Sequence, residues 1–173
     1  LFYREGIRAV GVDEVVERAG VTKPSLYRSF ASKDDLAAAY MRDYDLDFWE
    51  KFENPGGKSY SDPREHVLAY IRVLSTRAVR EGYRGCGLSN ATVEYPSRDN
   101  PARQVAEAHK KVFRKRLREL AAGMGARQPA VLGDALLLLI EGIYSTGQQS
   151  EEGPAQSALA VAKLLIDASV TKG

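Results

Sequence analysis

The sequence predicts an all-α protein of about nine helices, with a small N-terminal domain of three helices followed by a larger helical domain. Apolar residues recur at spacings of three and four along nearly the whole chain, whereas the alternation expected of strands is almost absent. Proline and glycine divide the chain into segments of helical length. These segments are short before residue 46 and long after it, so we place a boundary there, between domains 1–46 and 47–173.

After the first, most predicted helices begin at a capping residue or a proline and end at a glycine or a loop. Gly20 ends the second helix, and Thr22 with Pro24 opens the third. Ser32 opens the fourth, because its pairing with Asp35 is typical of a helix start. The predicted helices cover approximately residues 1–9, 13–19, 22–30, 32–52, 63–80, a short segment ending at residue 95, 101–124, 129–148 and 154–170.

The spacing of apolar residues also predicts which side chains face the interior. In the second and third helices the predicted inward residues are Val15, Val16, Ala19, Leu26 and Phe30. On the helix that begins at Pro101, the predicted inward residues are Val105, Ala108, Val112, Leu117, Leu120 and Met124.

Composition excludes several classes of protein. The net charge of +2 provides no independent argument for a polyanionic partner. The single cysteine, Cys86, excludes an intramolecular disulfide and fits a reducing cytoplasm. The longest apolar run, residues 135–140, is too short to span a bilayer, so we expect no membrane segment. Because the chain starts at Leu1 within a helical pattern, we expect a further N-terminal segment to precede it.

Residues 11–30 have the pattern of a helix-turn-helix, two short helices joined by a three-residue turn that contains Gly20. Leu26 and Phe30 are four residues apart and share one face of the second helix. The opposite face then carries two cations, three hydroxyl groups and a phenol, from Thr22, Lys23, Ser25, Tyr27, Arg28 and Ser29. Such side chains contact phosphates and base edges in a major groove. From spacing alone, a pair of surface helices without DNA contacts is the alternative.

Residues 15–36, together with Phe2, Gly6 and Val12, closely resemble the N-terminal motif of the TetR family of transcriptional regulators. The resemblance extends over residues 1–46. It implies a protein that binds double-stranded operator DNA as a dimer and releases it when a small-molecule effector enters the C-terminal domain.

Carried over by position, the resemblance implies core roles for Leu26, Phe30 and Leu36, and phosphate contacts for Tyr27 and Lys33. Val10 and Gly11 depart from the Thr and Ser common in the family, which removes an expected cap and phosphate contact, and Ser29 replaces a frequent His. The residues that the resemblance places against DNA are Thr22, Lys23, Pro24, Ser25, Tyr27, Arg28 and Lys33.

The later part of the chain is expected to bind the effector and to form a homodimer. Residues 84–96 resemble a pattern of one TetR subgroup without indicating a ligand. The helix from Pro129 is apolar on every side and the last helix is rich in alanine, and in the family the last two long helices pair with those of a second subunit. Candidate lining residues of the effector pocket are Trp49, Tyr70, Leu74, Asn90, Phe113 and Tyr144.

Other features have two interpretations. Cys86 could sense oxidants or electrophiles, but packing is the commoner role of a lone cysteine. Residues 103–118 contain seven Lys or Arg and one Glu, which indicates either a second nucleic-acid face or, as we favour, a solvated surface. A helical ligand-binding or interaction module without DNA binding is the alternative to a regulator.

Catalysis, cofactors and metals are not expected. Residues 56–59 resemble the end of a phosphate-binding loop, but Phe52 occupies the position where that loop requires glycine. His66 and His109 have no ligand neighbours at the spacing of a metal site.

Overall fold

The computed structural model describes residues 1–147 and 153–170, and the regular structure in these ranges is helical, which confirms the predicted all-α fold. Short 3-10 turns cover Pro55–Gly57 and Pro154–Ser157. The α-helices in the described ranges are α1 (Phe2–Glu5), α2 (Val12–Ala19), α3 (Lys23–Ser29), α4 (Lys33–Glu53), α5 (Pro63–Ala78), α6 (Gly87–Glu94), α7 (Pro101–Gly123), α8 (Pro129–Thr146) and α9 (Ala158–Ser169).

Helix α1 is shorter than predicted, because it ends at Glu5 instead of near residue 9. Gly6 adopts a φ of 95°, a conformation that other residues rarely adopt, and this turns the chain out of the helix. The predicted end of α8 at residue 148 lies outside the described residues.

The chain divides into two compact units, and the first consists of residues 1–47 and 86–109. It contains the predicted N-terminal domain, but it also includes α6 and the first part of α7, which the sequence pattern assigned to the larger domain. Gly87 explains the close packing of α6, since a Cβ atom at this position would lie 2.9 Å from the Tyr44 ring. The functional boundary after residue 46 remains a prediction.

The second unit consists of residues 48–85 and 110–173. Its interior contains a cluster of aromatic rings, in which Phe52 lies 4.8 Å from Tyr70 and 5.0 Å from Phe113 between ring centroids. Helices α5, α8 and α9 pack together around further buried aliphatic side chains, among them Ile71 and Ile140. The ring–ring contacts of the aromatic cluster stabilise the fold by more than the burial of their apolar area alone.

The predicted inward face of α7 is partly wrong. Leu117 and Leu120 are buried as predicted, but Val112 is 54% exposed, Ala108 is also exposed, and Val105 and Met124 are half-buried. The buried residues keep helical spacing but include three alanines and a histidine, so hydrophobicity alone pointed to the neighbouring valines. The buried set is Ala102, Ala106, His109, Phe113, Leu117, Leu120 and Ala121.

The expectation that no segment is long and apolar enough to span a membrane is wrong for helix α8. Over all 18 residues it meets that criterion, and Asp134 and Glu141 are its only charged residues. Core helices of globular proteins meet the same criterion, and Leu132, Leu136 and Ile140 of α8 are buried in the second unit.

Candidate functional site

Helices α2 and α3 are joined by the predicted three-residue turn. Gly20 has φ 65° and ψ 29°, and its N–H bonds to the carbonyl oxygens of Val16 and Glu17, which ends α2. The Thr22 hydroxyl oxygen accepts a 3.3 Å hydrogen bond from the backbone N–H of Ser25. Both predicted capping signals are confirmed.

One side of this pair of helices faces the interior of the first unit. Leu26 is 7% exposed, whereas Phe30, the residue that follows α3, is half-buried. Val15 and Val16 are half-buried as well, but Ala19 is exposed, contrary to prediction, because it lies at the very end of α2. A single well-buried leucine therefore anchors α3.

The other side of α3 is exposed to solvent, and Tyr27 is 47% exposed. Six of the seven residues predicted to contact DNA lie on α3 or at its cap, while Lys33 is the first residue of α4. Ser25 is half-buried. The remaining five on α3 or its cap, Thr22, Lys23, Pro24, Tyr27 and Arg28, are exposed together.

The two cations of α3 differ in their surroundings. The Lys23 ammonium forms a 2.6 Å ion pair with the Asp13 carboxylate, and that hydrogen bond and charge raise the pKa of Lys23. Arg28 is exposed and forms no ion pair within the described residues. The sequence pattern did not predict the Asp13 contact.

Lys33 is tied to the loop before α2. Its ammonium donates a 3.1 Å hydrogen bond to the backbone carbonyl oxygen of Arg8. The N–H of Arg8 donates to the Glu94 carboxylate at 2.9 Å, and its guanidinium donates to the Glu94 carbonyl oxygen at 3.2 Å. Sequence reasoning missed Arg8 and Glu94, because they are 86 residues apart and belong to no common local pattern.

The end of α6 makes a further contact with the start of α4. Tyr95 is buried, and its hydroxyl is hydrogen-bonded to Asp34. Burial, followed by the charge of Asp34 and this hydrogen bond, raises the pKa of Tyr95 to about 12. Tyr95 and Asp34 thus join the end of α6 to the start of α4.

The second unit contains a cleft of about 240 Å³ between the end of α4, the following 3-10 turn and α5. Tyr70 and Leu74 are buried at its wall, and Val73 adds apolar surface. Lys51 and Arg77 are cationic, and no acidic residue is among its described lining residues. The cleft thus combines apolar surface with positive charge.

The six predicted pocket residues do not converge on this cleft. Only Tyr70 and Leu74 line it. Phe113 lies in the aromatic cluster, Trp49 lines a separate shallow groove, and the Tyr144 hydroxyl is hydrogen-bonded to that of Tyr70 at 2.5 Å. Asn90 lies on α6 in the first unit. Lys51 and Arg77 were not predicted to line a pocket, because a sequence does not distinguish charged residues of a cleft from those of an ordinary exposed surface.

The cations of α7 are largely ion-paired. Within the described residues, six of the seven between 103 and 118 lie within 4 Å of a carboxylate, and Lys111 is the exception. Arg114 and Arg118 share Asp134, and their hydrogen bonds and charges lower the pKa of that carboxyl. This arrangement favours a structural surface over a second nucleic-acid face.

Cys86 and the histidines lie in packed surroundings. Cys86 is 2% exposed at the start of α6, which fits a packing role. His109 is hydrogen-bonded through Nδ1 to Asp45 at 2.7 Å, a carboxylate that spacing did not reveal. His66 Nε2 lies 2.7 Å from the Phe52 carbonyl oxygen. Among the described residues, no group of three or more His, Cys, Asp or Glu side chains could hold a metal ion.

Comparisons with known proteins agree with this geometry. The profile of bacterial regulatory proteins of the tetR family matches residues 1–40. The crystal structure of SCO4454, a TetR-family transcriptional regulator from Streptomyces coelicolor, superposes with a TM-score of 0.89 at 29% identity, covering 98% of this chain and 90% of that one.

Curated relatives match over shorter stretches. The transcriptional regulator AcuR of Cereibacter sphaeroides is 30% identical over 87 residues, which are 50% of this chain and 40% of that protein. The HTH-type transcriptional activator FasR of Mycolicibacterium smegmatis is 45% identical over 42 residues, 24% of this chain and 19% of that protein. The matched stretches thus span less than half of either relative.

Proposed function

We propose that this chain, whose residues 1–40 match the tetR-family profile, is a TetR-family transcriptional regulator that binds double-stranded operator DNA through α3 and acts as a repressor. The observation that carries the proposal is the exposed outer face of α3. This face carries Lys23, Tyr27 and Arg28 on a helix of seven residues anchored by Leu26. A helix of this kind fits the major groove, where cations and hydroxyl groups contact phosphates and bases.

We further propose that the chain works as a homodimer through α8 and α9. These helices expose large apolar side chains, with Leu138 73% and Leu164 68% exposed. Exposed leucines on two adjacent apolar helices are typical of a surface that a second copy covers. Two α3 helices would then enter successive major grooves about 34–36 Å apart.

A small-molecule effector would release the DNA by favouring a dimer whose α3 helices no longer fit those grooves. We place its binding in the cleft lined by Tyr70 and Leu74. Since Lys51 and Arg77 also line it, a small organic anion with an apolar body suits it best. In this proposal the protein is cytoplasmic, without catalytic activity and without membrane insertion.

DNA binding can be tested without knowledge of the operator. The wild-type chain is used to select duplexes from a random pool, and affinity is measured by fluorescence anisotropy at several salt concentrations. We expect an inverted repeat with half-sites about one helical turn apart, and an affinity that falls steeply with salt. Absence of any enriched sequence would leave the helical ligand-binding module as the better description.

The cleft and the dimer each require a separate test. Lys51→Gln and Arg77→Gln should lower the affinity for octanoate, used as a probe anion, whereas Lys111→Gln on α7 should not. Leu138→Glu should convert the dimer to a monomer in sedimentation experiments and reduce operator affinity. A dimer that persists in this variant would exclude α8 from the interface.

A further inference from the structure

The end of α6 is connected to Lys33 through the backbone of a single residue. Arg8 donates its N–H to the Glu94 carboxylate at 2.9 Å and accepts the Lys33 ammonium on its carbonyl oxygen at 3.1 Å. The Arg8 guanidinium adds a 3.2 Å bond to the Glu94 carbonyl oxygen. Displacement of the Glu94 carboxylate would therefore release the carbonyl group against which Lys33 is held.

The loop that carries Arg8 is shaped to meet Glu94. Gly6 has a φ of 95°, and a Cβ atom there would lie 3.4 Å from the nearer carboxylate oxygen. This backbone conformation, which other residues rarely adopt, brings the chain against the carboxylate. The Arg8 N–H is thus directed to an acceptor from a distant part of the sequence.

The end of α6 is itself held firmly in place. One terminal nitrogen of Arg103 donates to the carbonyl oxygens of Thr92, Tyr95 and Pro96 at 3.1, 2.7 and 3.2 Å, and its Nε donates to Glu107 at 2.8 Å. Hydrogen bonds from a guanidinium are among the stronger ones in proteins. Glu94 is consequently presented from a fixed support.

We propose that Glu94 is a positioning residue for DNA binding, which holds the Arg8 backbone so that the Lys33 ammonium is directed toward a phosphate. The inference rests on the proposed function, because it assumes that Lys33 contacts DNA. The proposal has a consequence that the net charge of the protein does not predict, because removal of the acidic Glu94 side chain weakens binding to DNA, which is a polyanion. Long-range electrostatics alone predicts the opposite sign.

The test compares the affinities of variants for the duplex selected by the wild-type chain. We expect Lys33→Ala to weaken binding about tenfold and Glu94→Ala about three- to tenfold, the size of one ordinary hydrogen bond's net contribution. Glu94→Gln should stay within about twofold of wild type, since its amide oxygen still accepts the Arg8 N–H. The double variant of Glu94→Ala and Lys33→Ala should bind no more weakly than Lys33→Ala alone.

Two controls separate positioning from charge and from folding. Glu17→Ala removes an exposed acidic residue of α2 and should leave binding unchanged or slightly tighter. Thermal unfolding verifies that each variant is folded at the assay temperature. If the Glu94→Ala variant is unfolded at that temperature, Glu94→Met replaces it. Methionine keeps the length of the side chain but removes the hydrogen-bond acceptor, so the same loss of affinity is expected.

The outcomes are distinct. Unchanged or tighter binding by the alanine or methionine variant overturns the inference, as does an effect that adds fully to that of Lys33→Ala. A wild-type chain that selects no duplex would instead remove the proposed function itself. The slope of the logarithm of the binding constant against the logarithm of the salt concentration should become shallower by about one unit in both Lys33→Ala and Glu94→Ala. This change would support the loss of one phosphate contact in each variant.

Discussion

Helices α3 and α7 both carry cations, but these cations lie in different surroundings. α7 has seven Lys or Arg between residues 103 and 118, and six of these are ion-paired within the described residues. α3 has only Lys23 and Arg28, yet its outer face is exposed and free of acidic side chains of its own. Lys23 of α3 is also ion-paired, to Asp13, so the proposal that α3 binds DNA depends on its exposed outer face and on Arg28, and not on the number of positive charges.

The largest expected effect separates the two helices directly. The double variant of Tyr27→Ala and Arg28→Ala on α3 should lower affinity for the selected duplex about a hundredfold, since it removes contacts to phosphate and bases. The matched double variant of Lys111→Ala and Lys115→Ala on α7 should change it less than twofold. Fluorescence anisotropy at fixed salt measures both, and equal losses would mean that α7 also contacts DNA.

Stability should show the difference between buried and exposed apolar residues of these helices. Leu26→Ala should lower the free energy of unfolding by about 2–4 kcal/mol, because it empties a buried position in a small unit. Val112→Ala on α7 should lower it by less than about 0.5 kcal/mol, since that valine is 54% exposed. Urea denaturation followed by circular dichroism measures both, and a small effect for Leu26 would contradict its anchoring role.

The ion pairs of α7 should make a pH-dependent contribution to stability. Arg114 and Arg118 lower the pKa of Asp134, so this carboxylate stabilises the fold above its ordinary pKa of about 4, and the contribution is lost as the pH falls below that value. Calorimetry should find Asp134→Asn less stable than wild type at pH 6, with a difference that shrinks below about pH 4 and at high salt. A difference that grows toward acid would have the wrong sign for this carboxylate.

The smallest expected effect concerns Lys23 on α3. Asp13→Asn should tighten DNA binding about two- to threefold, because it frees the Lys23 ammonium and removes a negative charge near the phosphates. Asp13 competes for a cation, whereas Glu94 binds a backbone N–H, so the two acidic residues should act in opposite directions. Weaker binding by Asp13→Asn would show that Asp13 orients Lys23 instead of competing for it.

Local patterns predicted the exposed outer face of α3, whereas only Tyr70 and Leu74 of the six residues predicted to line an effector pocket lie at the cleft of the second unit. The turn at Gly20, the cap at Thr22 and the burial of Leu26 depend on neighbours within four residues, which periodicity and capping rules can identify. Aromatic residues of central helices, such as Phe113 and Tyr144, are candidates for the lining of a pocket, but aromatic rings also form ordinary core. Only the packing seen in the tertiary structure distinguishes a ring that lines a pocket from a ring of the core.

The sequence by itself determined the all-α fold, the positions of most helices and the exposed cationic face of α3, since each depends on interactions between residues close along the chain. The tertiary structure decided that residues 86–109 pack with the N-terminal residues, that Glu94 holds Arg8, and that Asp134 pairs with two arginines of α7. These pairings join distant residues, and a side chain's spacing along the helix does not specify which remote partner it will meet.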